Sequence, residues 1–448
     1  MQTRPPDRSQ VSLSVLAFPL FFENFFRIAL SSVDVFMLAS YSDMAVAAVG
    51  LIGQFTFLLI ILYGVVAGGS GILISQFLGA ERSKEANQAA LAAYTMGMVF
   101  AVVISTGIAS SAGTILSFYT LDPQVYSYAR QYLTIFAAGS VFLALNTIQG
   151  TILRSFGYAR EAMTANILAA IVNVIGNAFS LYGFFGFPVL GVPGVAVSTV
   201  LSQAFASAYV GLRMRNHEDI KIPWKELKTL PVDYYKRMLR VGVPSAAEHL
   251  SFNLGQIVIT GVIALSGTAA LTANVYTQTL ARFAFIPALS IGYAVQIKTG
   301  YLVGAKKFDV ARRKVFQYDA LGYAITVTIV VVLYIFRGFL TGLFTSNPEI
   351  VAITTSLMFV MIFRESGRVS NMIIIPGLRG SGDVIFPVII GVIVQWIVAV
   401  GGSFYIHFGL QAGIVGIWWV LAADEIIRSI MMIFRWKSGA WKTKRLVE

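Results

Sequence analysis

A fixed offset of 225 residues carries one half of this chain onto the other. It maps Pro19 onto Pro244, Glu23 onto Glu248, Ala48 onto Ala273, Gly79-Ala80 onto Gly304-Ala305 and Ala86 onto Ala311. Further along it maps Pro123 onto Pro348, Leu153-Arg154 onto Leu378-Arg379 and Gly157 onto Gly382, with no gap. Matches at Gly, Pro and Glu positions inside apolar sequence do not hold one register by chance. The chain is therefore two copies of one unit, and its function is expected where the copies face each other.

Composition sets the solvent of that unit. Apolar residues make up 57% and charged residues 12%, with mean hydropathy +0.75; a soluble domain carries about twice that charge. Twelve apolar runs lie near 12–40, 46–77, 89–115, 126–153, 161–183, 194–213, 240–265, 271–300, 315–337, 349–378, 384–405 and 413–436. Each is long enough to cross a bilayer as a helix, and none shows the strict alternation of a barrel strand. The expected fold is an all-α membrane protein of twelve transmembrane helices in two pseudo-symmetric six-helix lobes. Residues 1–213 form the first lobe, 214–239 a connector, and 240–448 the second lobe with a basic tail. Six spans per copy leave the copies in the same orientation, as parallel repeats about an axis along the membrane normal. A short amphipathic helix on the membrane surface is expected within the connector.

Positive charge gives the orientation. The breaks near 41–45, 116–125, 184–193, 266–270, 338–348 and 406–412 contain no Lys or Arg, and the alternate breaks contain many. Both termini are basic as well, with Arg4 and Arg8 at one end and Arg435 to Arg445 at the other. Both are therefore expected in the cytoplasm, in a multi-pass protein of the cell membrane. The net charge of +12 comes largely from that face, and it suits an anionic lipid leaflet rather than nucleic acid. The first run is too long and too charged for a cleaved signal peptide, and it recurs at 240–265. The chain has no cysteine, which excludes disulfides and thiolate metal sites, and its three histidines are scattered. No phosphate-binding G-x-x-x-x-G-K-[ST] loop is present. Ion coupling, a passive channel or intramembrane catalysis remain.

Charges inside the spans are costly in lipid, so each needs a reason. The first span carries Glu23, Arg27 and Asp34. At helical pitch Arg27 lies about 40° and Asp34 about 20° from Glu23, on one stripe, with Asn24 and Ser31 beside it. Glu23 and Arg27 are spaced to pair. Asp34, about two turns further on, has no cation of its own in that half and reads as a protonatable or cation-binding carboxylate, or as part of a structural network. Asn173 and Asn177, one turn apart on the fifth span, and Thr199 on the sixth can complete a site around it, or act as ordinary helix–helix glue. The second half sets Glu248, Glu365, Asp424 and Glu425 against Arg282, Arg364, Arg368 and Arg428. Glu365–Arg368 and Asp424–Arg428 have pairing spacing and read as structural locks, with an ion or substrate role for Glu248 or Glu365 as the alternative. Pro19 and Pro244 sit inside equivalent spans and are expected to mark bends, that at Pro19 coupled to cavity access.

The stretches SSVDVFMLASYSDMAVAAVGL, GGSGILISQFLGAERSKEANQAA, ILRSFGYAREAMTANILAAIVN and GVPGVAVSTVLSQ resemble the first half of the multidrug and toxic compound extrusion (MATE) transporters. VGVPSAAEHLSFNLGQ, QIKTGYLVGAKKFDVARRK and PGLRGSGDVIFPVIIGVIVQW resemble their second half. The resemblance covers nearly the whole chain and implies a secondary exporter of small organic compounds, cationic or else anionic or zwitterionic. It implies an H⁺ or Na⁺ gradient as the driving force, no cofactor, and a V-shaped cavity between two lobes of a monomer. Asp34 matches the family's first-span carboxylate, Asn173 an asparagine of the amino-terminal-lobe ion site, and Thr199 a threonine near it. Asn177 stands where some members have a second aspartate, which leaves one carboxylate and favours H⁺ over Na⁺. Phe252 occupies the place of another branch's seventh-span glutamate, and Glu365 only lies near that branch's tenth-span carboxylate.

Two other classes of protein share some of these features. Gly380-Ser381-Gly382-Asp383, Tyr318-Asp319 and Pro287-Ala288-Leu289 are similar to the letters of presenilin-like aspartyl proteases, but their order is wrong, Asp319 and Asp383 both fall near cytoplasmic ends rather than at a shared midplane, and the repeat already explains Gly382. A lipid-linked oligosaccharide flippase of the same superfamily stays open through the arginines of the second half.

Overall fold

The structure, a computed structural model, describes residues 8–447, except for the side chains at 28, 29, 31, 32 and 185. Arg4 and the Ser31 side chain therefore lie outside the described residues. The described chain is helical and holds no strand. It divides into two compact units, Met1–Gly242 and Val243–Glu448.

The first unit contains α1 (Leu13–Tyr41), α2 (Asp43–Gly79), α3 (Ser83–Leu116), α4 (Pro123–Ser155), α5 (Ala159–Tyr182) and α6 (Gly191–Arg215). Its boundary with the second falls inside α7 (Val232–Ala264). Then follow α8 (Thr268–Gly304), α9 (Phe308–Ile335), α10 (Pro348–Ser381), α11 (Ile385–Leu410) and α12 (Gly413–Ser438). Among the described residues nine helices are long and apolar enough to cross a membrane: α2 to α6 and α8 to α11. The remaining three, α1, α7 and α12, carry Glu23, Arg27 and Asp34; Glu248; and Asp424, Glu425 and Arg428.

The offset recurs in the local chemistry that starts and stops helices. Asp122 caps α4 by accepting from the Gln124 N–H at 2.8 Å, with Pro123 at the first helical position. Asn347 caps α10 by accepting from the Glu349 N–H at 3.0 Å, with Pro348 in the same place. A cap oxygen satisfies a donor that has no partner in the helix, and proline gives up a donor not needed there. Both helices end on a left-handed glycine, Gly157 at φ 95° and Gly382 at φ 97°. The chain then folds back, with Tyr158 N–H on Leu153 O at 2.8 Å and Asp383 N–H on Leu378 O at 3.0 Å. Only glycine takes that φ without cost, which is why it recurs. Glu81 (φ 60°) and Lys306 (φ 58°) hold equivalent left-handed turns after α2 and α8.

Within the first unit α4 is central and packs on α2, α3 and α6, with α5 joining α6 to α1. Within the second, α10 is central and packs on α8, α9 and α12. One difference interrupts the parallel. α11 is wound as π-helix over Gln395–Gly401 and Tyr405–Leu410, whereas its counterpart α5 is α-helical throughout.

The connector departs from expectation. In place of an amphipathic helix it forms a strap with one short turn, Trp224–Glu226, and α7 begins at Val232. Polar anchors hold it in that shape. Asn87 of α3 donates to Asp219 O at 3.0 Å and accepts from the Lys221 N–H at 2.8 Å. Gln88 donates to Glu226 Oε2 at 2.6 Å, and Asp219 accepts from Tyr158 at 3.0 Å and pairs with Arg8. Backbone groups satisfied by side chains need no helix.

Candidate functional site

Asp34 stands on α1 facing α5. Asn177 donates to its Oδ1 at 3.0 Å. The amide of Asn173 orients by its neighbours. With nitrogen toward Asp34 it donates to both carboxylate oxygens at 3.1 Å, and its oxygen accepts from Thr199 Oγ1 at 3.2 Å. The opposite orientation would aim a carbonyl at a carboxylate. Tyr132 of α4 adds its hydroxyl 3.5 Å from Thr199 Oγ1. The four residues singled out in the sequence thus meet, with Asp34 and the two amides in direct contact and Thr199 one step behind. Helical spacing of four puts both asparagines on one face of α5. No described cation pairs with Asp34, so amides and a hydroxyl alone support it. Asn177 Oδ1 is buried with no hydrogen-bond partner.

Glu23 overturns an expectation. Its partner is Arg154 at the end of α4, 3.3 Å away, and Asn166 of α5 donates to it at 2.8 Å. Arg27 is exposed and donates to Asn24 at 2.7 Å instead. Spacing on one helix allowed the i,i+4 pair, but a guanidinium approaching from another helix neutralises Glu23 within the unit's interior. Asn166 is held in turn through Asn146, which also donates to Gln203 at 3.0 Å. The offset contained a signal for this pair. Glu23 and Arg154 are 131 residues apart, as are Glu248 and Arg379, which pair at 2.6 Å. Both members had already been matched across the repeat, but as separate positions.

Glu248 is therefore spoken for by Arg379, and Arg282 is exposed and joins no ion pair among the described residues. The expected set of four acids against four arginines shrinks to three against three. Arg368 pairs with Glu365 at 3.2 Å and with Glu425 at 3.7 Å. Arg428 pairs with Asp424 at 2.5 Å and with Glu425 at 3.1 Å. Asn371, which the sequence reading passed over, donates to Glu425 Oε2 at 2.9 Å. Arg364, only 3% exposed, lies over the Trp418 ring at 4.8 Å. Of the two acids in the protease-like letters, Asp383 is paired with Arg435 at 2.7 Å and Asp319 accepts from Ser370 at 3.2 Å. No cluster of three or more His, Cys, Asp or Glu suited to a metal occurs among the described residues. Pro19 and Pro244 lie inside continuous helices.

Long apolar helices with arginine-paired acids inside them and a carboxylate among amides are the marks of a helical membrane protein. The chain belongs to the MatE family: the family's sequence profile matches residues 19–179 and again 244–404, the same 225-residue offset. Such proteins are transporters and not enzymes. The uncharacterized transporter YisQ of Bacillus subtilis is 34% identical over 98% of this chain and 97% of its own. The probable multidrug resistance protein NorM of Thermotoga maritima is 26% identical over 96% of this chain and 93% of its own. Among solved structures, a MOP superfamily transporter from Pyrococcus furiosus superposes with TM-score 0.88 at 19% identity, covering 97% of this chain and 96% of that one. That likeness shows a shared fold.

Proposed function

We propose that this chain is a twelve-span, two-lobe antiporter that exports amphipathic organic compounds from the cytoplasm in exchange for H⁺. In this reading residues 1–213 and 240–448 are its lobes, both termini are cytoplasmic, and it works as a monomer without a cofactor. The observation that carries the reading is the state of Asp34. Glu23, in the same helix, has an arginine; among the described residues Asp34 has neutral donors and no cation. An isolated charge at mid-membrane costs about 3 kcal/mol or more, so its neutralisation is a functional event. Only a proton or a bound cation can neutralise Asp34 in this setting. Exchange follows if the neutralised form binds cargo less well, because a site can shift an equilibrium only through different affinity for its two states. The exposed rings of Phe18, Phe22 and Phe26, spaced 6.0 and 6.5 Å apart along α1, support flat amphipathic cargo. Pro19 within the same ladder is the proposed bend.

The test is transport of ethidium in proteoliposomes under a pH gradient and, separately, a Na⁺ gradient. Wild type should move dye under the pH gradient, and Asp34→Asn should fall to the protein-free level with unchanged gel-filtration behaviour. Dye movement under Na⁺ alone would make the ion Na⁺. Normal export by Asp34→Asn with loss in Glu248→Gln or Glu365→Gln would move coupling to the second unit and sink the proposal.

A further inference from the structure

Seven carboxylates lie away from the ends of the long helices: Glu23, Asp34, Glu248, Asp319, Glu365, Asp424 and Glu425. Five of them are paired with arginine. Asp34 and Asp319 pair with no cation among the described residues, and they fall one in each unit. Neither has an acidic counterpart across the offset, which places Ile259 opposite Asp34 and Tyr94 opposite Asp319. Asp319 is the part of this pattern that the proposed mechanism does not use.

Its setting is a seam of three helices. On α9, Val315, Asp319 and Gly322 follow at four and three residues and share a face. Below Asp319, Val315 and Val295 of α8 both contact the Gly377 position of α10 at 3.4–3.5 Å. Above it, a Cβ placed on Gly322 would lie 2.3 Å from Ile373, 3.6 Å from Val369 and 3.7 Å from Ile291. Asp319 sits between these two apolar layers. Ser370 of α10 donates to its Oδ2 at 3.2 Å, and its buried Oδ1 has no hydrogen-bond partner. Two turns along the same face, Thr326 Oγ1 is likewise buried without one. Titratable neighbours are few. On α8, Tyr293 is exposed, and the buried Lys298 follows Val295 by three residues on the same face. On α10, Val369 to Gly377 hold no titratable group, and Arg368 just before them is paired with Glu365 and Glu425. On α9 itself Tyr318 is adjacent, Tyr323 lies one turn above, and Arg312, Arg313 and Lys314 lie one to two turns below. With Ser370 as its hydrogen-bond donor and no ion pair among the described residues, Asp319 has a proton as its available neutraliser.

We infer that Asp319 is a second proton-carrying carboxylate, so that each unit of the transporter binds one exchangeable proton. Its link to export rests on the exchange proposed for Asp34; its binding of a proton does not. Protonation adds H⁺ to Asp319 Oδ1 and deprotonation returns it to water, with no other bond changed. Two carriers would let the exporter hold a steeper cargo gradient from the same pH difference. With the membrane potential clamped at zero, each proton moved down one pH unit sustains about a tenfold cargo gradient, so two sustain about 100-fold.

Infrared difference titration of the full-length protein in lipid nanodiscs tests the proton itself. Wild type should show two titrating carboxylic acid bands, one lost in Asp34→Asn and the other in Asp319→Asn. Asp319→Glu should keep a second band. Ser370→Ala should shift that band without removing it, which serves if Asp319→Asn does not fold. In proteoliposomes at zero potential, Asp319→Asn should still transport ethidium but sustain about tenfold less gradient per pH unit. A titration spectrum unchanged by Asp319→Asn or Ser370→Ala, or a sustained gradient equal to wild type, would overturn the inference. Loss of the Asp319 band alone, with no band assignable to Asp34, would instead count against the coupling site proposed above and leave this one standing.

Discussion

The two units share a scaffold and one ion pair, and they differ in what they build beside it. Glu23–Arg154 and Glu248–Arg379 are the same pair drawn twice, each tying the helix that opens a unit to the end of its central helix. Beside the first stands a neutral polar shell around Asp34. In the second unit the positions equivalent to Asn173 and Asn177 are Val398 and Gly402, at and just beyond a stretch of π-helix. There the polar groups move to α10 and α12, where Glu365, Asp424, Glu425, Arg364 and Arg428 are buried beside a half-buried Arg368. Position 199 in the first unit is threonine; its equivalent, 424, is aspartate. What repeats is held by arginine and serves the fold. A carboxylate left to amides is free to change its charge, whereas one locked among arginines is committed to a single state.

Breaking the second unit's cluster should show the largest effect on stability. Arg428→Met strands Asp424 in a buried site and leaves Glu425 to Arg368 and Asn371, and removing one partner of such a network costs about 3–5 kcal/mol. Thermal unfolding in detergent should show a large drop in midpoint. A midpoint near that of wild type would mean the cluster is not a lock.

The repeated pair gives a smaller and more discriminating contrast. Glu23→Gln leaves Arg154 near Thr151 Oγ1 at 3.4 Å, while Glu248→Gln leaves Arg379, whose Nε already lacks a partner. Losing a hydrogen bond to a charged group costs about 1.5–3 kcal/mol, more where the stranded group is left unsatisfied. Glu248→Gln should therefore lower the unfolding midpoint more than Glu23→Gln. The reverse order would mean that the two pairs are not equivalent in burial or role.

The smallest expected change sharpens the same comparison by making the second unit more like the first. Asn166 supports Glu23, but its equivalent, Gly391, has no side chain to support Glu248, whose Oε1 lies 3.3 Å from where a Cβ would stand. Gly391→Asn supplies an amide and a better helix former, together worth about 1 kcal/mol. A modest rise in midpoint is expected in the wild-type background and none in Glu248→Gln. An equal rise in both would assign the gain to helix propensity alone.

Much of the architecture was legible because it depends on local rules. Periodicity and length marked the helices, and the offset marked the repeat. Pro123, Pro348, Gly157 and Gly382 served there only as repeat matches, yet with Asp122 and Asn347 they carry the helix-end signals the structure uses, since caps and left-handed turns draw only on residues next to one another. The connector was misread because its shape is decided by Asn87 and Gln88, more than 100 residues away in sequence.

The candidate site divides along the same line. The sequence by itself determined that Asp34, Asn173, Asn177 and Thr199 were polar in apolar spans, and it paired Glu365 with Arg368 and Asp424 with Arg428 through spacing on one helix. Tertiary structure decided the rest. It gave Glu23 to Arg154 instead of Arg27, gave Glu248 to Arg379, left Arg282 exposed, and left Asp34 and Asp319 without a cation among the described residues. The physical reason is that neutralising a charge away from water depends on distances of about 3–4 Å between helices. Those distances are settled by packing, to which helical spacing along a single chain is blind.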